Sequence, residues 1–337
     1  MHNRYSRQEL FLKEKQPFAN KHVLLVGAGA LGSALAEMLV RAGIGRLTII
    51  DRDYVDWTNL QRQQLYKEQD AQERLPKAEA AKKRLEEINS DVFISAVTAD
   101  GGPEELSALM NAHLPDLLLD GTDNFETRFL INDLSQKYNV PWIYGACVGS
   151  QGISCVIVPG ETPCLACLLD VLPAEGMTCD TAGIIAPAVQ MTTAIQGAEA
   201  LKILAGRWEE VSRELVSFDL WKNTYSSIKI ASLKKASCPS CGKEASHPYL
   251  SEANRTRTAV LCGRDTVQVR PSEERAFNLS QLALTMEQHG TKVKTNGFLL
   301  SAIVSGKRIV LFQDGRMLIH GTKNTADAKK LYQQLLG

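Results

Sequence analysis

The sequence predicts an α/β fold, with a mostly parallel sheet, an antiparallel extension and a small α+β module at its C-terminal end. Three observations carry this reading. Short apolar runs alternate with amphipathic helical stretches over residues 22–145, the pattern of a parallel sheet covered on both faces. The first run ends in a glycine-rich turn, Gly27-Ala28-Gly29-Ala30-Leu31-Gly32. Beyond residue 150, at 152–158 and again at 214–219 and 225–230, the pattern turns to strands that are not separated by regular helix alternation.

The elements follow in order. Residues 22–26 are an apolar run, and after the glycine turn a helical periodicity passes through Leu35, Met38, Leu39 and Ala42; this is strand, tight turn, helix. A second run, residues 47–50, ends at Asp51. Together they make a Rossmann-like βαβ unit with an acidic residue closing its second strand. A helix is expected over residues 76–88, a strand over 92–97 and a helix over 104–111. A buried strand over 116–120 then ends at Gly121-Thr122-Asp123-Asn124. A further helix spans 126–138, and Pro141 restarts the chain into a strand over 142–145. Strands over 152–158, 214–219 and 225–230 predict the antiparallel extension.

Residues 184–205 are apolar but interrupted by Gln190, Gln196, Glu199 and Lys202, which predicts a buried helix rather than a membrane span. The polar stretch 243–257 marks a boundary. The main domain is assigned to residues 1–245 and the small module to 258–337. In that module strands are expected at 266–269, 298–304, 308–312 and 317–320, with helices at 280–288 and 325–335. There is no internal repeat and no low-complexity segment.

Composition narrows the function classes. With 44% hydrophobic and 23% charged residues, intrinsic disorder is excluded. Basic and acidic residues number 38 each, so the net charge is zero and no global field draws in nucleic acid or an anionic membrane. Any anionic ligand must be held by local groups. The N-terminus has no apolar core of the kind a secretory signal needs, so a cytoplasmic protein is expected.

The motifs then suggest chemistry. The Gly27-x-Gly29-x-x-Gly32 turn sets backbone N–H groups and a helix N-terminus against an anion, and glycines let a phosphate come close; a tight βα turn with no ligand is the competing reading. Asp51 opens a dense polar block that runs through Asp53, Asn59, Arg62 and Gln63. A nicotinamide dinucleotide site has no general reason for such a block, whereas a triphosphate needs fixed cations. Lys77 supplies a second mobile cation, unless it is simply a solvated lysine. Asp123 follows a buried strand, where open sheets collect ligands, and a carboxylate there suits Mg²⁺. The alternative is a helix cap, a role open to Asp123 or its neighbour Asn124.

Eight cysteines complete the picture. Cys164-x-x-Cys167 and Cys238-x-x-Cys241 have the spacing of a structural four-sulfur Zn²⁺ site. With four sulfur ligands that metal has no open position, so it is assigned a stapling role and no catalytic one. Cys179 precedes an apolar helix, whose N-terminus would favour a thiolate; a bystander thiol is the alternative. Cys147 and Cys155 lie in apolar strands and read as core residues. Cys262 has no assignment.

Taken together, Arg4-Tyr5-Ser6-Arg7-Gln8, the glycine turn, Asp51-x-Asp53-x-Val55-x-x-x-Asn59-Leu60-x-Arg62-Gln63, Pro76-Lys77, Asp120-x-Thr122-Asp123-Asn124 and the paired cysteines resemble the ThiF/MoeB group of ubiquitin-activating-enzyme-like (E1-like) adenylyltransferases. The resemblance covers residues 4–242. It implies ATP-dependent adenylation of the C-terminal Gly-Gly carboxylate of a small ubiquitin-like sulfur-carrier protein, ThiS-like or MoaD-like, with release of pyrophosphate. It further implies that Gly27, Gly29, Ala30 and Gly32 cradle the nucleotide and Asp51 holds its ribose. Asn59, Arg62 and Lys77 would bind the phosphates, Asp123 would lie at the magnesium with Asn124 beside it among the nucleotide-binding residues, and Arg7 would reach the active site of the neighbouring subunit in a homodimer. Cys179 stands where this family can carry a sulfur-accepting cysteine. The C-terminal module is too short for a rhodanese domain, so a separate sulfurtransferase or cysteine desulfurase is the expected sulfur donor. An NAD-dependent oxidoreductase and a non-catalytic carrier-binding scaffold are the competing readings.

Overall fold

The computed structural model describes residues 4–168, 182–251, 258–261, 265–271 and 276–336. It divides into two compact units: of the described residues the first holds 4–72, 76–168 and 184–251, and the second holds 73–75, 182–183 and those from 258 onward.

The first unit is laid down as α1 (Ser6–Leu12), β1 (His22–Val26), α2 (Ala30–Ala42), β2 (Arg46–Asp51), α3 (Glu68–Glu73), α4 (Lys77–Ile88), β3 (Phe93–Thr98), α5 (Pro103–Ala112), β4 (Leu117–Asp120), α6 (Phe125–Tyr138), β5 (Trp142–Val148), β6 (Gln151–Ile157), α7 (Leu165–Leu168), α8 (Ala186–Leu204), β7 (Glu214–Asp219) and β8 (Thr224–Lys229). Its eight strands form one sheet in the order β3-β2-β1-β4-β5-β6-β7-β8. The first five run parallel, and β6, β7 and β8 add the antiparallel extension. Every residue of β1 and of β4 is buried, which is why both read as unbroken apolar runs.

The order matters for function. β1 leads through α2 to β2 on one side and has β4 on the other. The strand order therefore reverses between β1 and β4, and the crevice at their C-terminal ends is where open α/β sheets bind ligands.

The sequence left α1 and α3 unread, and β5 runs to Val148, three residues past its expected end. Pairing with β6 carries it onward, because Ala146, Cys147 and Val148 all find antiparallel partners there. Of the polar residues that interrupt α8, Gln196 and Glu199 turn inward and are buried, Lys202 is half-buried and Gln190 is exposed; Thr192 and Thr193 are also fully buried, and both hydroxyls donate to carbonyls one turn back. Among the described residues no helix is long and apolar enough to cross a membrane.

The second unit holds β9 (Thr258–Leu261), β10 (Thr266–Val269), α9 (Leu279–Gln288), β11 (Val293–Thr295), β12 (Leu299–Val304), β13 (Lys307–Phe312), β14 (Met317–His320) and α10 (Thr325–Leu336). Its strands form an antiparallel sheet in the order β11-β12-β13-β14-β10-β9. Val267, Leu300, Ile309, Leu311, Met317 and Ile319 from the sheet pack with Leu279, Ala283, Ala328 and Leu331 from the two helices. This is the α+β module read from the sequence, with β9 and β11 as strands the sequence left unread.

Candidate functional site

The crevice is built by backbone contacts before any side chain enters it. Gly27 sits at φ 93°, and a Cβ there would lie 2.6 Å from the Gly121 carbonyl oxygen. A Cβ on Gly32 would fall 1.9 Å from the Gly27 oxygen. Gly29 differs, since its nearest neighbours stand 3.8 and 3.9 Å away. The outer glycines thus let the turn close on α2 and on the loop after β4. The middle one leaves an open surface on which a phosphate can approach the main chain.

Asp51 fastens this turn to its neighbour. One carboxylate oxygen accepts from the Ala28 N–H at 2.6 Å and the other from the Asp53 N–H at 2.7 Å. Burial pushes its pKa up, with Lys77 opposing and Asp53 adding to the rise. Lys77 is no solvated lysine: it is buried, its Nζ lies 2.9 Å from the Asp53 carboxylate, and its N–H donates to the Asp53 carbonyl. Tyr66 is buried beneath, with its hydroxyl 2.6 Å from the Ala28 carbonyl and 3.3 Å from that of Lys77. Arg52 faces Asp100 at 3.4 Å and Asp123 at 4.0 Å.

Across the crevice, the loop after β4 stands on a buried ion pair. Asp120 is fully buried and accepts from Arg128 Nε at 3.0 Å, from the Thr122 N–H at 2.8 Å and from the Thr122 hydroxyl at 2.7 Å. Arg128 also donates to the Thr122 and Gly145 carbonyls, and Gln196 of α8 donates to the Asp120 carbonyl at 3.1 Å. The result fixes Asp123 and Asn124 in distinct roles. The Asn124 side chain caps α6 by accepting from the Thr127 N–H at 2.9 Å, which leaves the Asp123 side chain 81% exposed. The surrounding chain acts to raise the Asp123 pKa. Arg52, the Asn124 amide, Lys77 and Arg128 outweigh that effect and hold it below the ordinary aspartate value, so its carboxylate is ionised and open at neutral pH.

The four cysteines of the paired motifs meet on the far side of α6. Their sulfurs all lie within 4.8 Å of one another, with Cys164 to Cys238 and Cys167 to Cys241 each at 3.5 Å and Cys164 to Cys167 at 3.9 Å. A tetrahedron of sulfurs about 2.3 Å from a central Zn²⁺ has edges of about 3.8 Å, so the cluster is of the size that ion requires. Three of the four are buried and Cys241 is half-buried. The Lys235 N–H points at Cys167 Sγ from 3.4 Å. Leu165 is held to Asn132 of α6 at 2.8 Å, and Tyr249 to Asp133 at 2.9 Å.

The sequence model of the ThiF family matches residues 4–240. The chain belongs to the ThiF family. It is 49% identical over 341 residues to the sulfur carrier protein ThiS adenylyltransferase of Bacillus subtilis (strain 168), with both chains covered in full. It is 34% identical to the molybdopterin-synthase adenylyltransferase of Escherichia coli (strain K12), over 71% of this chain and 96% of that one. Among solved structures, E. coli MccB with ATP superposes with a TM-score of 0.61 at 22% identity, over 72% of this chain and 75% of that one, a likeness of fold alone.

Within this ThiF-family chain, the structure gathers Gly27, Gly29, Ala30, Gly32, Asp51, Lys77, Asp123 and Asn124 around one crevice. Asn59 and Arg62 lie on the segment that leads from Asp56 to Gln63. Asn59 is buried and its Oδ1 accepts from the Asp56 N–H at 3.0 Å, completing a capping box. Arg62 is half-buried and donates to the Thr58 carbonyl at 2.9 Å. Arg7 stands apart. Its helix α1 is tied to the far end of α2 and α4, by Gln8 to the Ala42 carbonyl and by Tyr5 to Asn89, so the length of α2, about 20 Å for its 13 residues, separates it from the glycine turn. Within one chain Arg7 takes no part in the crevice. Cys155 is buried and Cys147 partly so; Cys179 and Cys262 lie outside the described residues.

Two crevice residues were given no role by the sequence reading. Arg128 sits in the first turn of α6 with nothing local to distinguish it from a surface arginine. Gln63 is 4% exposed and its Oε1 is buried with no hydrogen-bond partner, while its amide nitrogen stands 3.9 Å from where a Gly29 Cβ would be. An orphaned buried carboxamide beside the open glycine marks a place for a polar ligand group.

Proposed function

We propose that this chain uses ATP to adenylate the C-terminal Gly-Gly carboxylate of a small ubiquitin-like sulfur-carrier protein, releasing pyrophosphate. The observation that carries the reading is the crevice at the β1/β4 switch point. It joins an open glycine turn, an acid placed for a ribose, several cations and an exposed carboxylate, which is a fit to a nucleotide triphosphate and its divalent cation. Identity to a ThiS adenylyltransferase over the whole chain, C-terminal module included, supports a ThiS-like carrier over a MoaD-like one.

The carrier's carboxylate is already ionised at neutral pH and needs no general base. Its oxygen attacks the α-phosphorus, the bond to pyrophosphate breaks, and an acyl-adenylate remains for later attack by sulfur. The chain's work is to position and to stabilise charge. The N–H groups of the glycine turn and the α2 N-terminus receive phosphate oxygens, Asp51 accepts from ribose hydroxyls, the open Gln63 oxygen accepts from a nucleotide O–H or N–H, and Arg62 and Lys77 hold the phosphates in line. Asp123 would hold Mg²⁺, which when bound neutralises phosphate oxygens. Asn124 takes the helix cap itself and so leaves Asp123 without that duty. The four cysteines would hold Zn²⁺ as a structural staple. Arg7, remote from its own crevice, would complete that of a second subunit in a homodimer, and Cys179 is the candidate for accepting sulfur delivered by a separate sulfurtransferase or cysteine desulfurase.

The test mixes the protein with ATP, Mg²⁺ and either a ThiS-like or a MoaD-like carrier and weighs the carriers by intact mass. An AMP adduct on the ThiS-like carrier is expected. An adduct on the MoaD-like carrier alone reassigns the substrate, and no adduct on either overturns the function.

A further inference from the structure

Arg52 is the crevice residue that the reaction just described leaves unused. It follows β2, and its guanidinium touches two carboxylates that belong to different strands: Asp100 after β3 and Asp123 after β4. In the order β3-β2-β1-β4 the last contact crosses the line of β1, whose C-terminal end is the glycine turn. The bridge therefore spans the mouth of the crevice.

The two contacts are unequal. Asp100 is 3% exposed and stands 3.4 Å from Arg52, whereas Asp123 is 81% exposed and stands 4.0 Å away. A loose pair to an exposed carboxylate contributes little to folding. Its neighbours are otherwise engaged, Asp53 by Lys77 and Asp51 by the backbone of Ala28 and Asp53. Arg52 is thus anchored on its buried side and exchangeable on its open side, against the carboxylate proposed to receive the cation.

We propose that Arg52 is a positioning residue that guards Asp123: without nucleotide it occupies the carboxylate, and as a divalent cation takes Asp123 the guanidinium, still held by Asp100, turns its free edge to a phosphate oxygen. The exchange keeps charges paired at each stage. Asp123 trades a guanidinium for a metal cation, and Arg52 trades a carboxylate for a phosphate. Metal and nucleotide thereby favour each other's binding, because each accepts the partner the other displaces.

This rests on the reading of Asp123 as the cation site, and the test separates the two. Mn²⁺, whose free ion is counted by its paramagnetic resonance signal, is titrated into full-length protein without nucleotide. Arg52→Gln should bind Mn²⁺ about fivefold more tightly than wild type, the effect of removing one unit charge 4 Å away in a solvent-exposed setting. Asp100→Asn, which leaves the guanidinium only Asp123 to lean on, should bind it more weakly. With saturating Mg²⁺, Arg52→Gln should raise the KM for ATP severalfold with a smaller change in kcat. Opposite signs for the two variants distinguish competition from general damage. If Asp123→Asn binds Mn²⁺ as well as wild type does, the cation-site reading falls. If Asp123→Asn loses Mn²⁺ but Arg52→Gln binds it no more tightly than wild type, the role of Arg52 alone falls.

Discussion

The crevice and the cysteine cluster are both convergent polar sites on one sheet, yet they are finished in opposite ways. At the cluster four sulfurs from two distant segments close on one another within 4.8 Å, three of them buried, and no position is left for a substrate. At the crevice the supporting groups spend themselves on one another: Asp120 on Arg128, Asp51 on Ala28 and Asp53, Asn124 on the cap of α6. What they leave open is the part proposed to meet the substrate, namely Asp123, the face of Gly29 and the half-exposed Arg62. A saturated site holds the fold together; a site whose support is saturated and whose front is not can bind and turn over a ligand.

That contrast can be broken at either end. Cys238→Ser should cost on the order of 4 kcal/mol of stability, since it opens a closed four-sulfur site that joins the segment after β6 to the segment after β8. Thermal unfolding with and without a chelator reads this directly, and a variant insensitive to chelation that melts with wild type would remove the staple from the account. At the crevice the signs reverse. Arg62→Ala should lower carrier-dependent ATP–pyrophosphate exchange by roughly 10²–10³-fold, about 3–4 kcal/mol in the barrier, with little change in melting. Normal exchange in that variant would sink the assignment of Arg62.

The glycine turn sharpens the comparison within a single loop. Gly29→Ala places its methyl in ordinary contact distance, so melting should hold while the KM for ATP rises about tenfold, roughly 1.4 kcal/mol. Gly32→Ala drives a Cβ to 1.9 Å from the Gly27 carbonyl and should destabilise by about 1–3 kcal/mol. If both alanines act on stability alone, the open face of Gly29 is no binding surface.

The sequence revealed what local chemistry dictates. The apolar runs of β1, β2 and β4, the glycine turn and the cysteine spacings each carry their meaning within a few residues, and the structure places those elements as read. The support of the crevice was hidden because it is made by groups distant in the chain. Asp120 needs Arg128 eight residues on and Gln196 from α8, and neither side chain differs in sequence from one facing water. Gln63 was quoted within a motif, but its orphaned oxygen is a fact of packing. Asp123 and Asn124 could not be told apart as cap and ligand until the backbone of Thr127 chose Asn124. Helix α1 was missed for a related reason: its residues Leu10 and Phe11 are exposed in one chain, so it lacks a buried stripe of its own.

The smallest effect probes the closed end of β1, opposite the glycine turn. His22 is buried, with its Nε2 2.9 Å from the Thr48 hydroxyl. Burial, reinforced by His113, lowers its pKa from 6.5 to about 4. Between those values the unfolded chain binds a proton that the folded chain refuses, so stability rises with pH from about 4 to 6.5 and its contribution is lost on acidification. Allowing for solvent relaxation, the loss is on the order of 1 kcal/mol. His22→Gln can keep the partnership with Thr48 without titrating, and should flatten the stability profile over that window while leaving ATP–pyrophosphate exchange at neutral pH unchanged. An unaltered acid limb would show that His22 does not carry it. The shift at His22 thus has the size often sought at catalytic groups, yet it sits at the end of β1 opposite the glycine turn. In this molecule the perturbed proton affinity of a buried group reports desolvation. Function is marked instead by position at the open ends of β1 and β4.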